Sequence, residues 1–375
     1  MRTADVVVIG GGIHGCSTAL HLAMRGLKPI LVEKDYAGRH ASGVNAGGVR
    51  QLARDLAEIP LSISSMEIWE HIEELVGDDC GFTSHGTVLV AETDDELAGF
   101  KARVDDLRLR GFEHEELIDR TELRRLVPAV SEYCPGGVVS RRDGAADPFR
   151  TTQAFRRAAV EKGAEIIEGV TVTGLERRGD VWRLETSDGP IEAPKVVNAA
   201  GAWADRIAAM LGEPVPLTVV APMLMVTSRV PAFIDPVVIL RGRKLSFKQL
   251  ANGTVVIGGG HLATPYRDRN ETVLDWDKLA ISARTVWELF PVMREATIVR
   301  AWAGIEAYMP DGIPVVGRSS TSEGVFHQFG FSTHGFQLGP GTGAMMAELV
   351  ATGSTNVPID GLEIGRFAAQ AARQS

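Results

Sequence analysis

Residues 5–34 read DVVVIGGGIHGCSTALHLAMRGLKPILVEK, and this stretch decides the fold. Residues 6–9 are a short apolar β run that turns at once into Gly10-Gly11-Gly12-Ile13-His14-Gly15. Over 13–24 the apolar residues recur every three or four positions, which predicts a helix closed by Gly26. A second apolar run over 30–32 stops at Glu33. The whole is a βαβ unit carrying G-x-G-x-x-G with an acid at the tip of its second strand, the pattern that binds an adenine dinucleotide. Gly10 makes the tight turn, Gly12 lets backbone N–H groups approach a pyrophosphate, and Gly15 lets the helix pack close to the strand. The helix start at Ile13 and His14 faces the anion, and Glu33 can accept from a ribose diol. The motif alone suits NAD and FAD equally.

Working outward, the chain of 375 residues is too long for one compact core and predicts two domains. Its 45% hydrophobic and 23% charged content is that of a soluble globular protein. No run approaches the ~20 apolar residues of a membrane span, and the first strand begins too early to leave room for a signal peptide, so a cytoplasmic location is expected. A formal charge of −9 argues against a nucleic-acid partner. Cys16, Cys80 and Cys134 are scattered, without C-x-x-C or His pairing, so neither a disulfide nor a metal site is expected. Cys16, close to the helix start, reads as a small packed hydrophobe.

Residues 34–50, KDYAGRHASGVNAGGVR, form an aperiodic loop whose Ser42, Asn45, Ala46, Gly47 and Gly48 would let the backbone lie flat on a ligand. A helical pattern over 58–76 follows. Residues 84–142 hold strands and helices without βαβ order and read as an insertion. The chain returns with a helix over 149–162 and with KVVNAAGAWAD over 195–205, a strand, a small-residue turn and a helix. Strands over 217–257, with Asn252-Gly253 as a hairpin signal, and a helix over 275–289 extend the second domain. At the end, GFSTHGFQLGPGTG over 330–343 reads as a glycine-rich loop before a helix over 339–351. The expected fold is α/β: a Rossmann-like FAD domain from 1–83, 143–213 and 305–375, interleaved with a substrate domain on a large antiparallel or mixed sheet from 84–142 and 214–304. Gripping a long ligand from both chain ends favours FAD over NAD, because a helix dipole at the C-terminal loop would stabilise negative charge on a reduced ring.

Five motifs in order carry a resemblance: G-x-G-x-x-G with Glu33, SGVNAGG, NAAGAW, WAGIEAYMPDGIPVVG over 302–317, and GFSTHGFQLGPGTG. Together they resemble the D-amino-acid-oxidase superfamily of flavoproteins, nearest to its branch of glycine and sarcosine oxidases and β-subunit-like proline and D-hydroxyproline dehydrogenases. The resemblance implies FAD contacts from Lys34 and the 42–48 loop, from Val172, Ala200, Gly201 and Trp203, and from Gly304, Gly330, Ser332, Thr333, His334, Gly335 and Gln337. It also implies oxidation of a small amino or imino acid, in which the α C–H gives a hydride to flavin N5. Relatives that attach flavin covalently use a cysteine near 302–306, where this chain has none, so non-covalent FAD is expected.

Arg50, ending the flavin-side loop, is the first candidate to grip a substrate carboxylate, against a plain solvated arginine. Lys248 or Arg243 could assist. By resemblance His261 lies near the amine, Tyr308 falls at an active-site tyrosine position, Phe247 forms an apolar wall, and His334 sits near the flavin pyrimidine edge. Glycine-oxidase-like relatives hold the carboxylate with an arginine where this chain offers Glu306, which could instead meet a hydroxyl or cationic group. Sarcosine oxidases carry an oxygen-activating lysine where this chain reads Val255-Val256-Ile257. The expected enzyme is therefore a dehydrogenase of a D-proline or cis-4-hydroxy-D-proline type substrate, passing electrons to a quinone or partner redox subunit, with a hetero-oligomer in view. Alternatives are a sarcosine- or glycine-type oxidase, a 2-hydroxy-acid dehydrogenase with His261 as base, and a flavin-binding assembly subunit without a substrate.

Overall fold

The structure, a computed structural model, describes residues 2–367. Strand Val6–Ile9 is wholly buried, as its unbroken apolar run requires. It lies at the centre of a six-stranded sheet ordered Val315–Arg318, Val325–Phe329, Lys195–Asn198, Val6–Ile9, Pro29–Glu33 and Glu165–Glu168. The pairs are parallel except for the hairpin Val315–Arg318 with Val325–Phe329. Helix Ile13–Met24 packs on one face, flanked by helices Ile59–Glu70, Pro148–Glu161 and Gly335–Thr352. Their apolar sides meet in a core that includes Leu20, Trp69, Phe155 and Met346.

The second sheet has eleven strands. It runs from Glu271–Val273 through the long strand Thr218–Thr227 to Glu116–Asp119, antiparallel except where Val237–Leu240 joins Thr87–Ala91 in parallel. Strands Ile298–Ala303 and Glu306–Tyr308 both pair with Thr218–Thr227. Helix Trp276–Leu289 covers this sheet over a core of Phe247, Phe290 and Leu289.

Two expectations need correction. The 58–76 helix is two helices, Ile59–Glu70 and Ile72–Val76, parted at His71. The C-terminal helix starts at Gly335, so most of the glycine-rich motif is helix, Pro340 included. Its glycines serve packing: a Cβ at Gly339 would come within 2.7 Å of Ile13, at Gly341 within 2.6 Å of Ser65, and at Gly343 within 2.2 Å of Ser17. Only hydrogen side chains let three helices approach this closely.

Candidate active site

At the C-terminal ends of the parallel strands a cavity of about 970 Å³ opens between the two sheets. That is the top of the range for small-molecule sites, ~300–1,000 Å³. Where the glycine motif lines it, Gly10 has φ +111° and a Cβ there would meet Ala199 O at 2.4 Å. A Cβ at Gly15, behind the wall, would lie 1.9 Å from Gly10 O, which is the close helix–strand contact. Glu33 is buried, and its Oε2 accepts from Gly11 N at 2.6 Å while Oε1 accepts from Asp35 N at 2.8 Å. Burial, partly offset by these two bonds, raises its carboxyl pKa. Ser42 Oγ accepts the N–H of Ile13 at 3.0 Å, capping the helix that the anion would face.

Gly12, Ile13 and His14 line the same end of the cavity. Lys34, Ser42, Asn45, Ala46 and Gly48 line it along the loop, whereas Gly47 turns away, its Cβ direction filled by Ala146 O at 2.1 Å. Val172, Ala200, Gly201 and Trp203 form another wall. There Lys34 Nζ stands 4.0 Å above the Trp203 ring and donates to Asn270 at 2.9 Å and to Asp35. Gly304, Gly330, Thr333 and Gly335 complete the lining. Ser332, His334 and Gln337 do not reach it. Ser332 Oγ accepts from Met309 N, and Gln337 is buried against Ser62, Ser65 and Trp69. His334 Nδ1 faces Glu58 at 3.0 Å, and burial together with Arg54 lowers its pKa to about 4, so the neutral ring donates to the carboxylate.

Of the residues read as catalytic, Arg50, Glu306 and Tyr308 line the cavity. Phe247 does not: it stacks on Phe290 with ring centres 4.5 Å apart in the core beneath helix Trp276–Leu289. Strand alternation explains this, since Ser246 takes the cavity face and its neighbour must point away. Lys248 is buried behind the loop, its Nζ 2.9 Å from where a Gly47 Cβ would stand, and burial lowers its pKa to about 8. Arg243 is bound to Glu92 and Glu288 away from the cavity. His261 stands at the rim between the lining residues Gly260 and Leu262, its pKa lowered by burial and by Lys244 and Lys278.

Arg54 is the residue that sequence reading missed. It lines the cavity yet is 2% exposed. Its Nη2 donates to His334 O at 3.3 Å and Gln337 Oε1 at 3.4 Å, leaving Nε and Nη1 without partners. Burial pulls its pKa down to about 9, so it remains a cation at neutral pH. Only its spacing of four from Arg50 hinted at it. Opposite in sign, Glu306 accepts a single bond, from Thr333 N at 2.5 Å, and burial raises its carboxyl to about 7. Thr333 and Ser332 hold left-handed φ values of +72° and +49°, a strained turn of the kind found at ligand sites. Tyr308 beside Glu306 has its pKa raised by burial and by that carboxylate.

The lining fits FAD. The glycine cradle and Glu33 suit an adenosine diphosphate, and the buried atoms His14 Nδ1, Gln328 Oε1 and Arg54 Nε, on lining residues, have no hydrogen-bond partner in the protein. A model of FAD dependent oxidoreductases matches residues 5–349. The chain belongs to that family. As an FAD dependent oxidoreductase it is 29% identical to sarcosine dehydrogenase of Mus musculus over 97% of this chain and 41% of that protein, so it spans about two fifths of that relative's length. It is 27% identical to sarcosine oxidase subunit beta of Rhodobacter capsulatus, covering 93% of this chain and 85% of that one. Its structure matches L-proline dehydrogenase from P. horikoshii with a TM-score of 0.92 and 29% identity, covering 98% and 99% of the two chains. Among the described residues, no helix is long and apolar enough to cross a membrane, and no cluster of His, Cys, Asp or Glu is arranged to hold a metal ion.

Proposed function

We propose that this FAD dependent oxidoreductase oxidises a small α-amino or imino acid to the imine, with a secondary amine of the D-proline or cis-4-hydroxy-D-proline type as best substrate. The observation that carries this reading is the pairing of opposite charges in one cavity: Arg50 and Arg54 on one loop, Glu306 on strand Glu306–Tyr308. A zwitterion meets that arrangement at both ends, whereas a singly charged molecule meets it at one. The unpartnered Nε and Nη1 of Arg54 would receive the carboxylate, with Arg50 beside it. Glu306 Oε1 is held by Thr333 N, which leaves Oε2 to accept a proton from the substrate ammonium. Losing that proton frees the nitrogen lone pair that expels hydride from the α-carbon. Bound FAD supplies the hydride acceptor. Tyr308 and the walls of the cavity orient the ring and exclude water. Sarcosine and proline, named in the relatives, are both secondary amines.

The strand where sarcosine oxidases carry an oxygen-activating lysine here reads Val255-Val256-Ile257, which supports a quinone or redox subunit as electron acceptor. The relatives called sarcosine oxidase subunit beta and hydrogen cyanide synthase subunit HcnC support assembly with a second kind of chain. The test is the visible spectrum of the purified protein, recorded anaerobically with D- and L-proline, the hydroxyprolines, sarcosine, glycine and lactate. Bleaching by an imino acid that recovers slowly in air is expected. Bleaching by lactate alone, or by nothing, would remove the amino-acid reading.

A further inference from the structure

The two cavity arginines stand on a short loop, 50–54, that has no regular structure of its own. Its backbone is nevertheless held at almost every step by charged groups from elsewhere in the chain. Asp143, fully buried, accepts Gln51 N at 2.8 Å through Oδ1 and Leu52 N at 3.1 Å through Oδ2, and Ser140 Oγ also donates to it at 2.8 Å. Glu115, 3% exposed, accepts Ala53 N at 2.7 Å. Arg103 locks Glu115 in a two-point pair at 2.7 and 2.8 Å and donates to Arg54 O at 2.8 Å. Between these contacts the Leu52 side chain, with no exposed surface, enters a small core of Leu89, Phe100, Val104 and Val138.

Such a concentration of buried charge on one loop is costly unless every group is satisfied. The loop also carries strain: Ala53 holds φ +61°, a left-handed conformation disfavoured by a Cβ. An ordinary surface loop needs neither. The anchors come from strand Gly136–Ser140, the turn after it, helix Asp94–Leu109 and the segment beyond it, all in or bordering the insertion at 84–142. The guanidiniums they support line the cavity.

We infer that Asp143, Glu115 and Arg103 are positioning residues that fix the backbone of 51–54 so that Arg50 and Arg54 present a preformed carboxylate-binding fork. This rests on the proposed carboxylate grip. None of the three touches the ligand. They set the aim of the two groups that do, and the insertion thereby controls affinity for the carboxylate half of the substrate.

The experiment titrates FAD-loaded protein with cyclopentanecarboxylate, a proline analogue without an amine, following perturbation of the flavin spectrum. Bound FAD per chain and the melting temperature are measured alongside. Asp143→Asn and Glu115→Gln should weaken cyclopentanecarboxylate at least about tenfold, as small misplacements of a binding group do, while FAD content stays at that of the parent. Arg103→Lys, which keeps a cation, should recover part of the affinity lost in Arg103→Met. Affinities within twofold of the parent in Asp143→Asn and Glu115→Gln, with Arg54→Met clearly impaired, would overturn the positioning role and leave the carboxylate grip standing. An Arg54→Met protein that binds the carboxylate normally would overturn the grip itself. If a variant fails to fold, Leu52→Val, which loosens the same loop from the insertion core, gives the same readout.

Discussion

Glu58, which has no exposed surface, faces the imidazole of His334 through both carboxylate oxygens, at 3.0 and 3.1 Å. His334 in turn offers its backbone carbonyl to Arg54. The acid is thus the counter-charge for a buried guanidinium one residue removed from contact, and His334 together with Arg54 holds its pKa below the ordinary value despite burial. Glu58→Gln should destabilise the protein by roughly 1–3 kcal/mol, the cost of leaving buried polar groups poorly paired, measured by urea unfolding of the FAD-loaded form.

Arg54→Met should raise KM for the amino acid far more than it lowers FAD content. Removing one partner of a buried charge pair costs roughly 2–5 kcal/mol, so a loss of more than about thirtyfold in kcat/KM is expected from steady-state rates with an artificial acceptor.

Glu306 gives the pH dependence. Its carboxyl is raised by burial to about 7 and must be ionised to take the ammonium proton, so kcat/KM should climb from about pH 6 through 7 and level above about pH 8. Glu306→Gln should lose that acid limb along with most of the activity. Stability runs the other way. The folded carboxyl holds its proton above the ordinary 4.5, so its contribution to folding is present at low pH and fades as pH rises through about 7. Glu306→Gln should therefore melt higher than the parent at pH 8, with little difference at pH 4.5.

Glu33→Ala should weaken FAD, because the carboxylate lines the cavity where the glycine motif lies and fixes Gly11 N and Asp35 N beside it. Loss of a charged hydrogen bond is worth roughly 1.5–3 kcal/mol, a ten- to hundredfold rise in Kd, read by titrating apoprotein with FAD and following flavin fluorescence.

Gly343→Ala tests the helix contact. A methyl placed 2.2 Å from Ser17 Oγ cannot be absorbed without moving the N-terminal helix. A destabilisation of roughly 1–3 kcal/mol is expected from such overpacking. Gly26→Ala, with open space around it, should cost only the strain of its φ of +81°.

The βαβ unit and the small-residue turn at 198–201 were legible because local periodicity and glycine placement dictate them, whereas the stretch read as a loop over 34–50 holds a helical turn, Ala41–Val44, and a strand, Gly48–Val49, whose partner Gly144–Ala145 lies far along the chain. Phe247 was misread because its direction depends on which of two neighbouring residues faces the cavity, and that is set by the partner strand Val255–Gly258 rather than by the run itself. Arg54 was invisible for a related reason. Only Gln337, His334 and the insertion, all remote in sequence, make an arginine buriable there. The C-terminal helix was read to start at Gly339 rather than Gly335 because the reason its glycines are small lies on other helices.

The order of the six-stranded sheet also governs how the protein is made. Val6–Ile9 leaves the ribosome before the other strands of this sheet, and one of its edges stays bare until Lys195–Asn198 arrives, while that strand in turn waits for Val325–Phe329. Until they arrive the nascent chain carries an open, apolar strand edge, the condition that invites aggregation and chaperone attendance. A ribosome stalled before residue 325 would hold a chain that already displays the dinucleotide motif and still lacks the strand and the lining residues 328–336 that complete the cavity.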